Sequence, residues 1–418
     1  MIKLPPVTAV KAQAGPFLLG ALAFTGVFAR GWGNLLYGLL VLWGLILWAA
    51  TLLANKSPKT EGPPLPPARW AAGLAAFALT WLAAALAGDH PAAGLKVMAI
   101  YLYLLALPLL VWPVFARRPA WPARLRLFWG LGLMVAAVLT FREGGYQLVC
   151  LRAKAHLGII ELGSILGQLI PVMAAALLAA LSTGRRREAA FFALALAAAG
   201  VAINQNCSRQ TVLAAFALSL LMLWAYRRHF RLKSQRLLLF LALAAVNLAP
   251  LATGGGQRFM GTFERKPGSA SMVINHSDNL RVSMWRQGLE VFKAHPGLGQ
   301  GLGVGFRPST PEAGETIGRQ RHFHNLFINV LAETGLLGFI GFLALHLAPL
   351  SLIWPHRHSR DPETFFWVWA ALAVNLQFGL NGLTDQIFGL KPMMYIHWTV
   401  TAAALWQAGR QPDKNGNS

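Results

Sequence analysis

The chain has 418 residues, 56% of them hydrophobic and 12% charged, with fifteen tryptophans and a mean hydropathy of +0.49. This composition excludes an ordinary soluble domain. The formal net charge of +22 falls in no motif for base readout, which sets nucleic acid aside as a partner.

Apolar runs near the length that crosses a hydrocarbon core roughly 30 Å thick predict twelve helices, at 16–30, 35–54, 70–88, 96–115, 126–141, 159–182, 188–205, 210–226, 237–252, 335–354, 364–382 and 391–407. The first run lacks an obvious cleavage site and begins the series, so no signal peptide is expected. With the N-terminus inside, the cytoplasmic segments hold 21 of the 37 basic residues and the short outer segments seven, the asymmetry expected of short loops. It favours an even helix number with both termini inside. "SPKTEGPPLPPAR" between the second and third runs reads as a cytoplasmic linker. Cys150 and Cys207 both fall on the outer side, as a disulfide or as two small apolar fillers.

The expected fold is all-α and polytopic, with about twelve transmembrane helices. Residues 1–252 carry helices 1–9, 253–334 form one large outer loop with amphipathic helices, and 335–418 carry helices 10–12 and a cytoplasmic tail. Arg209, in "NQNCSRQTVL", stands at the outer end of the eighth run. The remaining nine basic residues lie in the loop's residues 253–322 against five carboxylates, a positive balance that suits an anionic ligand. Long loops are also translocated whatever their charge.

Within that loop "HSDNLRVSMWRQGLEVFKAHPGLGQGLG" offers Ser277 and Asp278 as N-cap candidates and stops at Pro296 and a glycine run, which predicts a helix of about four turns. Arg281 and Trp285 share a face and Arg286 points away. This helix either rests on the membrane surface with its arginines snorkelling or presents Arg281 to a ligand. "GLGQGLGVGF" lacks the preceding strand and the GK[ST] ending of a phosphate loop and reads as a flexible turn.

In "HFHNLFINVLAETGLLGFIG", Asn325, Asn329 and Glu333 recur every four residues opposite Leu326, Phe327, Val330 and Leu331, which predicts an amphipathic helix over 323–334 lying at the outer interface. Gly335, Gly338 and Gly341 open the next span with a small-residue seam for close helix contact. His324 has three readings. It is a general base, since an imidazole exchanges protons near neutral pH, or a helix cap, or with His322 part of a metal site, for which no cysteine or carboxylate pattern completes the ligand set. Asp385 stands in "LNGLTDQIFGLK", the short outer loop before the last run. An outer Arg, Asp and His brought together by folding would supply a cation, a base and a carboxylate to orient the base.

His324 and Asn325, nine residues, Gly335, two residues and Gly338 resemble the signature of the O-antigen ligase and O-antigen polymerase superfamily. Arg209 with Leu213 is similar to the Arg and Leu element of the ligases, and "RVSMWRQGLEVFKAHPGLGQGLG" resembles the loop segment before the histidine motif. Asp385 corresponds to the ligases' functional aspartate by position only. The resemblance implies a GT-C-like membrane protein of the bacterial inner membrane, its large loop and active site periplasmic. The donor would be an undecaprenyl diphosphate-linked O-antigen. The acceptor would be the lipid A core in ligases, another glycan repeat in polymerases, or a protein hydroxyl in related enzymes. Neither cofactor nor metal is implied. His324, Arg209, Arg281 and Asp385 are the expected catalytic residues. Arg286, Arg265, His322 and Asn325 are expected at the substrate. A lipid-linked glycan flippase or exporter is the reading from another class. It would need ionisable groups buried within spans, and apart from His346 and His397 the strongly polar residues gather at helix ends and loops.

Overall fold

A computed structural model of the chain describes residues 7–54, 67–144, 157, 159–206, 208–230, 233–250, 263–265, 272–274, 276–303 and 322–410. Cys150 and Cys207 lie outside the described residues, and with them the disulfide expectation. The helices, numbered as described, are α1 (Val7–Thr25), α2 (Arg30–Ala54), α3 (Ala68–Ala87), α4 (Pro91–Arg117), α5 (Trp121–Glu143), α6 (Ile159–Ser182), α7 (Arg186–Asn206), α8 (Arg209–Tyr226), α9 (Lys233–Pro250), α10 (His276–Ala294), α11 (Leu326–Ile353), α12 (Pro362–Gly382) and α13 (Lys391–Gly409).

Each of the twelve apolar runs falls largely on one of these helices, and α10 is the loop helix. The helices often begin before the apolar run does. α4 starts at Pro91 and α5 at Trp121–Pro122, because proline is pre-organised for a first helical turn while charged and aromatic first turns escape a hydropathy scan. Among the described residues six helices, α3 to α7 and α11, are long and apolar enough to cross a membrane. The chain is a multi-pass membrane protein. One feature departs from an all-α fold: β1 (Phe263–Arg265) pairs antiparallel with β2 (Met272–Ile274), Glu264 opposite Val273.

α6 forms the centre, buried without a break from Glu161 to Ala176. Around it the peripheral helices turn leucines outward, with Leu79 and Leu238 each 67% exposed, as lipid rather than water requires. Lipid gives no hydrophobic drive between helices, so close packing has to hold them together. α3 and α11 illustrate this. A Cβ on Gly73 would stand 2.8 Å from the Ala344 carbonyl oxygen, one on Gly341 would stand 3.0 Å from that of Ala76, and Trp81 Nε1–H donates to Gly338 O at 3.0 Å. Ion pairs close the bundle near its ends, Arg30 with Glu161 and Arg126 with Glu363 at 2.8 Å.

The segment that carries the site is irregular where it matters. α11 is broken at Gly335, whose backbone (φ 61°, ψ −165°) is open to glycine alone. The glycine run after α10 fills the break. Gln300 N–H and Gly301 N–H donate to the carbonyls of Ala332 and Glu333 at 2.9 and 3.0 Å, and Leu336 N–H and Leu337 N–H donate to those of Pro296 and Gly297 at 2.8 and 3.2 Å. Four backbone groups at the kink thus gain the partners that a low-dielectric interior demands. The approach is close. A Cβ on Gly335 would meet the Gly297 backbone at 2.4 Å, and one on Gly299 the Glu333 backbone at 2.4 Å. The expected flexible turn is therefore a fitted wedge.

The amphipathic helix expected over 323–334 turns its polar stripe inward. The stripe Asn325, Asn329 and Glu333 is buried, at 7%, 3% and 7% exposure, so the polar face points into the protein. α10 packs on a flank of this helix, through Met284 against Phe323 and Ala332.

Candidate active site

His324 and Asp385 are 61 residues apart in sequence and meet where α11 begins and α12 ends. α11 is capped by Asn325, whose Oδ1 accepts from Phe327 N–H and Ile328 N–H at 3.0 and 3.1 Å, a strong N-cap arrangement. Its Nδ2 donates to Leu383 O at 2.9 Å. That one amide starts the helix and pins it to the α12–α13 connection. The structure thus gives Asn325 a positioning role and leaves the cap reading of His324 to its neighbour.

His324 lies just before the cap, in the left-handed region at φ 50°, the only non-glycine there among the described residues. Held strain of this kind gathers at functional sites. The turn brings His324 Nδ1 within 3.2 Å of Asp385 Oδ1. The same oxygen accepts from Gln386 N–H at 2.8 Å, which fixes the carboxylate. Because an ionised carboxylate only accepts, the pairing puts the imidazole proton on Nδ1. Both side chains are mostly buried, 15% and 10% exposed.

His322 completes a compact cluster. Its ring centroid is 4.4 Å from that of His324, its Nδ1 accepts from His324 N–H at 3.3 Å, and it stands 4.0 Å from Asp385 Oδ1. Burial first, and then the adjacent His324, push the His322 pKa below its ordinary value, and Asp385 opposes them. The carboxylate that the sequence did not supply for a metal set is therefore present: one ligand atom each of His322, His324 and Asp385 lies within 4.8 Å of the others.

Two further elements converge on this cluster. Trp285 Nε1–H donates to His324 O at 3.2 Å, so the face of α10 that carries Arg281 turns toward His324. Arg281 is half-buried and Arg286 exposed, the division their spacing predicts. Gln210, in the first turn of α8, bonds Thr384 Oγ1 and donates to Leu380 O at 2.8 Å, which seats the helix that begins at Arg209 beside Asp385. The Arg209 and Arg265 side chains lie outside the described residues. Their backbones open α8 and close β1.

Sequence reasoning passed over Gln210, Thr384 and the Trp285 hydrogen bond. Gln210 adjoins Arg209, and its position at a helix start was the one available signal. A cavity of about 680 Å³ runs along α11 from Phe327, two residues from Asn325, past Phe342, His346 and Leu350 to Arg357. A larger one of about 740 Å³ lies at the other end of the bundle around Arg117, Trp121 and Arg124, away from these groups.

Residues 192–343 match a family model described as O-Antigen ligase, from the middle of α7 to the middle of α11. The match includes all the expected site residues except Asp385. A 208-residue stretch is 29% identical to the exopolysaccharide production protein ExoQ of Rhizobium meliloti (strain 1021) and covers 44% of this chain and 46% of that protein. The chain thus spans about half the length of the curated relative it matches. The family resemblance carried by His324, Asn325, Gly335 and Gly338 is matched by that family model.

Proposed function

We propose that this protein is an O-antigen ligase that moves a glycan from undecaprenyl diphosphate to a sugar hydroxyl of the lipid A core at the periplasmic face of the inner membrane. The observation that carries the reading is the His324–Asp385 pair at 3.2 Å, set at a helix start.

The reaction is a single displacement with inversion. The acceptor oxygen attacks the anomeric carbon, its proton passes to His324 Nε2, and the bond from that carbon to the diphosphate oxygen breaks with its electron pair on the leaving group. Asp385 orients the ring and stabilises the imidazolium that forms. Arg281 and Arg209 hold the diphosphate, whose charge grows as the bond breaks, through forked charge-assisted hydrogen bonds. Arg265, Arg286 and His322 contact the substrate more peripherally. The scheme requires neither nucleotide nor metal. The apolar groove that starts at Phe327 suits the donor's polyprenyl chain, since its rim residues Leu347, Trp354 and Leu376 are about half exposed.

A second reading within the superfamily draws on the ExoQ likeness. An exopolysaccharide production protein points to another glycan repeat as acceptor, which would make this chain a polymerase. Purified protein in detergent, given undecaprenyl diphosphate glycan with lipid A core, with a second glycan or with a protein acceptor, separates these readings. Glycosylated lipid A core is expected. Product only with the glycan acceptor would favour the polymerase, and no product from any acceptor would leave a lipid-linked glycan carrier.

A further inference from the structure

The cluster beside the base holds more than proton transfer needs. Asp385 alone suffices to orient His324, yet a second imidazole, His322, turns its Nδ1 toward the same carboxylate oxygen. We propose that His322, His324 and Asp385 form a three-ligand site for a borderline divalent cation of the zinc type, and that its occupation switches the enzyme off.

Zinc binds imidazole nitrogen and carboxylate oxygen at about 2.0–2.2 Å, which puts tetrahedral ligands about 3.4 Å apart. His324 Nδ1 and Asp385 Oδ1 already stand at 3.2 Å, and His322 Nδ1 at 4.0 Å from that oxygen. His322 is the most exposed of the three, its side chain 30% accessible, so a small swing of its ring closes the set. Three protein ligands leave a fourth position open, as in exchangeable rather than structural sites.

Neighbouring donors hold two of the three residues in place. Gln386 N–H holds Asp385 Oδ1 at 2.8 Å, and Trp285 Nε1–H fixes the His324 carbonyl at 3.2 Å. Outer partners of this type orient ligands and sustain affinity. The donor set, two nitrogens and one oxygen, favours zinc over magnesium or calcium, which take oxygen ligands.

The inhibitory half of the inference rests on the proposed role of His324 as base. A cation on Nδ1 displaces the proton shared with Asp385 and removes that carboxylate from the ring. The ring's one proton then resides on Nε2, which has no lone pair left to take the acceptor hydroxyl's proton. Binding of the metal and transfer of the glycan are therefore mutually exclusive uses of the same three side chains.

Cobalt(II) serves as probe because its visible spectrum reports coordination number. Titrated into the full-length, metal-stripped protein in detergent, one equivalent should give the intense d–d bands of a four-coordinate site, and zinc should displace them. His322→Ala, His324→Gln and Asp385→Asn should each weaken cobalt binding by about tenfold or more, while His90→Ala and His295→Ala leave it unchanged. Circular dichroism and gel filtration of each variant separate lost ligation from lost folding. In transfer assays with the wild type, EDTA should leave the rate unchanged or raise it, and zinc should abolish it reversibly. A weak six-coordinate spectrum, or binding undiminished in all three folded variants, overturns the site. Transfer unaffected by zinc at full occupancy overturns the inhibition. Tight four-coordinate binding in a protein that transfers no glycan would sink the ligase reading and leave the metal site standing.

Discussion

Replacing Asp385 with asparagine tests the pairing at the centre of the proposed mechanism. Asp385 Oδ1 accepts from two donors, His324 Nδ1 at 3.2 Å and Gln386 N–H at 2.8 Å. An asparagine can keep its own Oδ1 there, so both bonds survive but lose their charge. A charge-assisted hydrogen bond contributes about 1.5–3 kcal/mol and a neutral one about 0.5–1.5. The difference, about 1–1.5 kcal/mol, corresponds to roughly a tenfold fall in transfer rate. Asp385→Ala removes the acceptor altogether and should approach the loss in His324→Ala, about 10² to 10⁴ for a positioned base. The decisive measurement is the double variant, assayed by initial rates at saturating lipid-linked donor. If Asp385 works through His324, adding Asp385→Asn to His324→Ala should cost almost nothing further, because residues that act as a unit are not additive. A further tenfold loss in the double variant would show that Asp385 acts independently of the imidazole and would refute the pairing.

Arg281→Ala should weaken transfer by about 1–3 kcal/mol, the scale of a lost charged hydrogen bond, with partial rescue by lysine. Arg286→Ala should cost less, since Arg286 is exposed, and an equal loss would mean that the other face of α10 meets the donor. Gly335→Ala forces a side chain into a glycine-only conformation, at about 1–3 kcal/mol, and into backbone 2.4 Å away. It should free the amides of Gln300, Gly301, Leu336 and Leu337 to hydrogen exchange and abolish transfer, while far-UV circular dichroism stays helical. Unchanged protection at those four amides would refute the fitted wedge. For the twelve-crossing topology, a cysteine at Glu290, exposed on α10, in a chain without Cys150 and Cys207, should label from the outer side of intact cells. Protection there would overturn the outward placement of the loop.

Much of the helical order was legible because each apolar run has to be satisfied along its own axis in lipid, and a helix is the local way to do so. The division between Arg281 and Arg286 was legible for the same local reason, since spacing alone decides which residues share a face. The direction in which a face points was not. The alternation of Asn325, Asn329 and Glu333 reads equally well as a stripe toward headgroups or toward a polar interior, because lipid and protein core are both apolar and hydropathy does not distinguish them. The meeting of His322, His324 and Asp385 depends on two long-range ties, Asn325 to Leu383 and Gln210 to Thr384, and no local pattern announces either. The glycine run was legible as a break in helix and illegible as a wedge, because its partner is a kink some thirty-five residues later.

That wedge also sets an order of assembly. Without Pro296 to Gly301 in place, the kink at Gly335 would leave backbone donors and acceptors unmet in an apolar surrounding, at several kcal/mol, and an unbroken helix would be preferred. An unbroken α11 would carry its first nine residues straight on, about 14 Å along the axis at 1.5 Å per residue, and lift His324 away from Asp385. A newly inserted chain is therefore inert until the segment after α10 has been delivered to the site side of the bilayer and has docked. Under the proposed function, the two halves of the catalytic pair come together only in a protein whose topology is already finished, which would keep a half-inserted chain from acting on its donor.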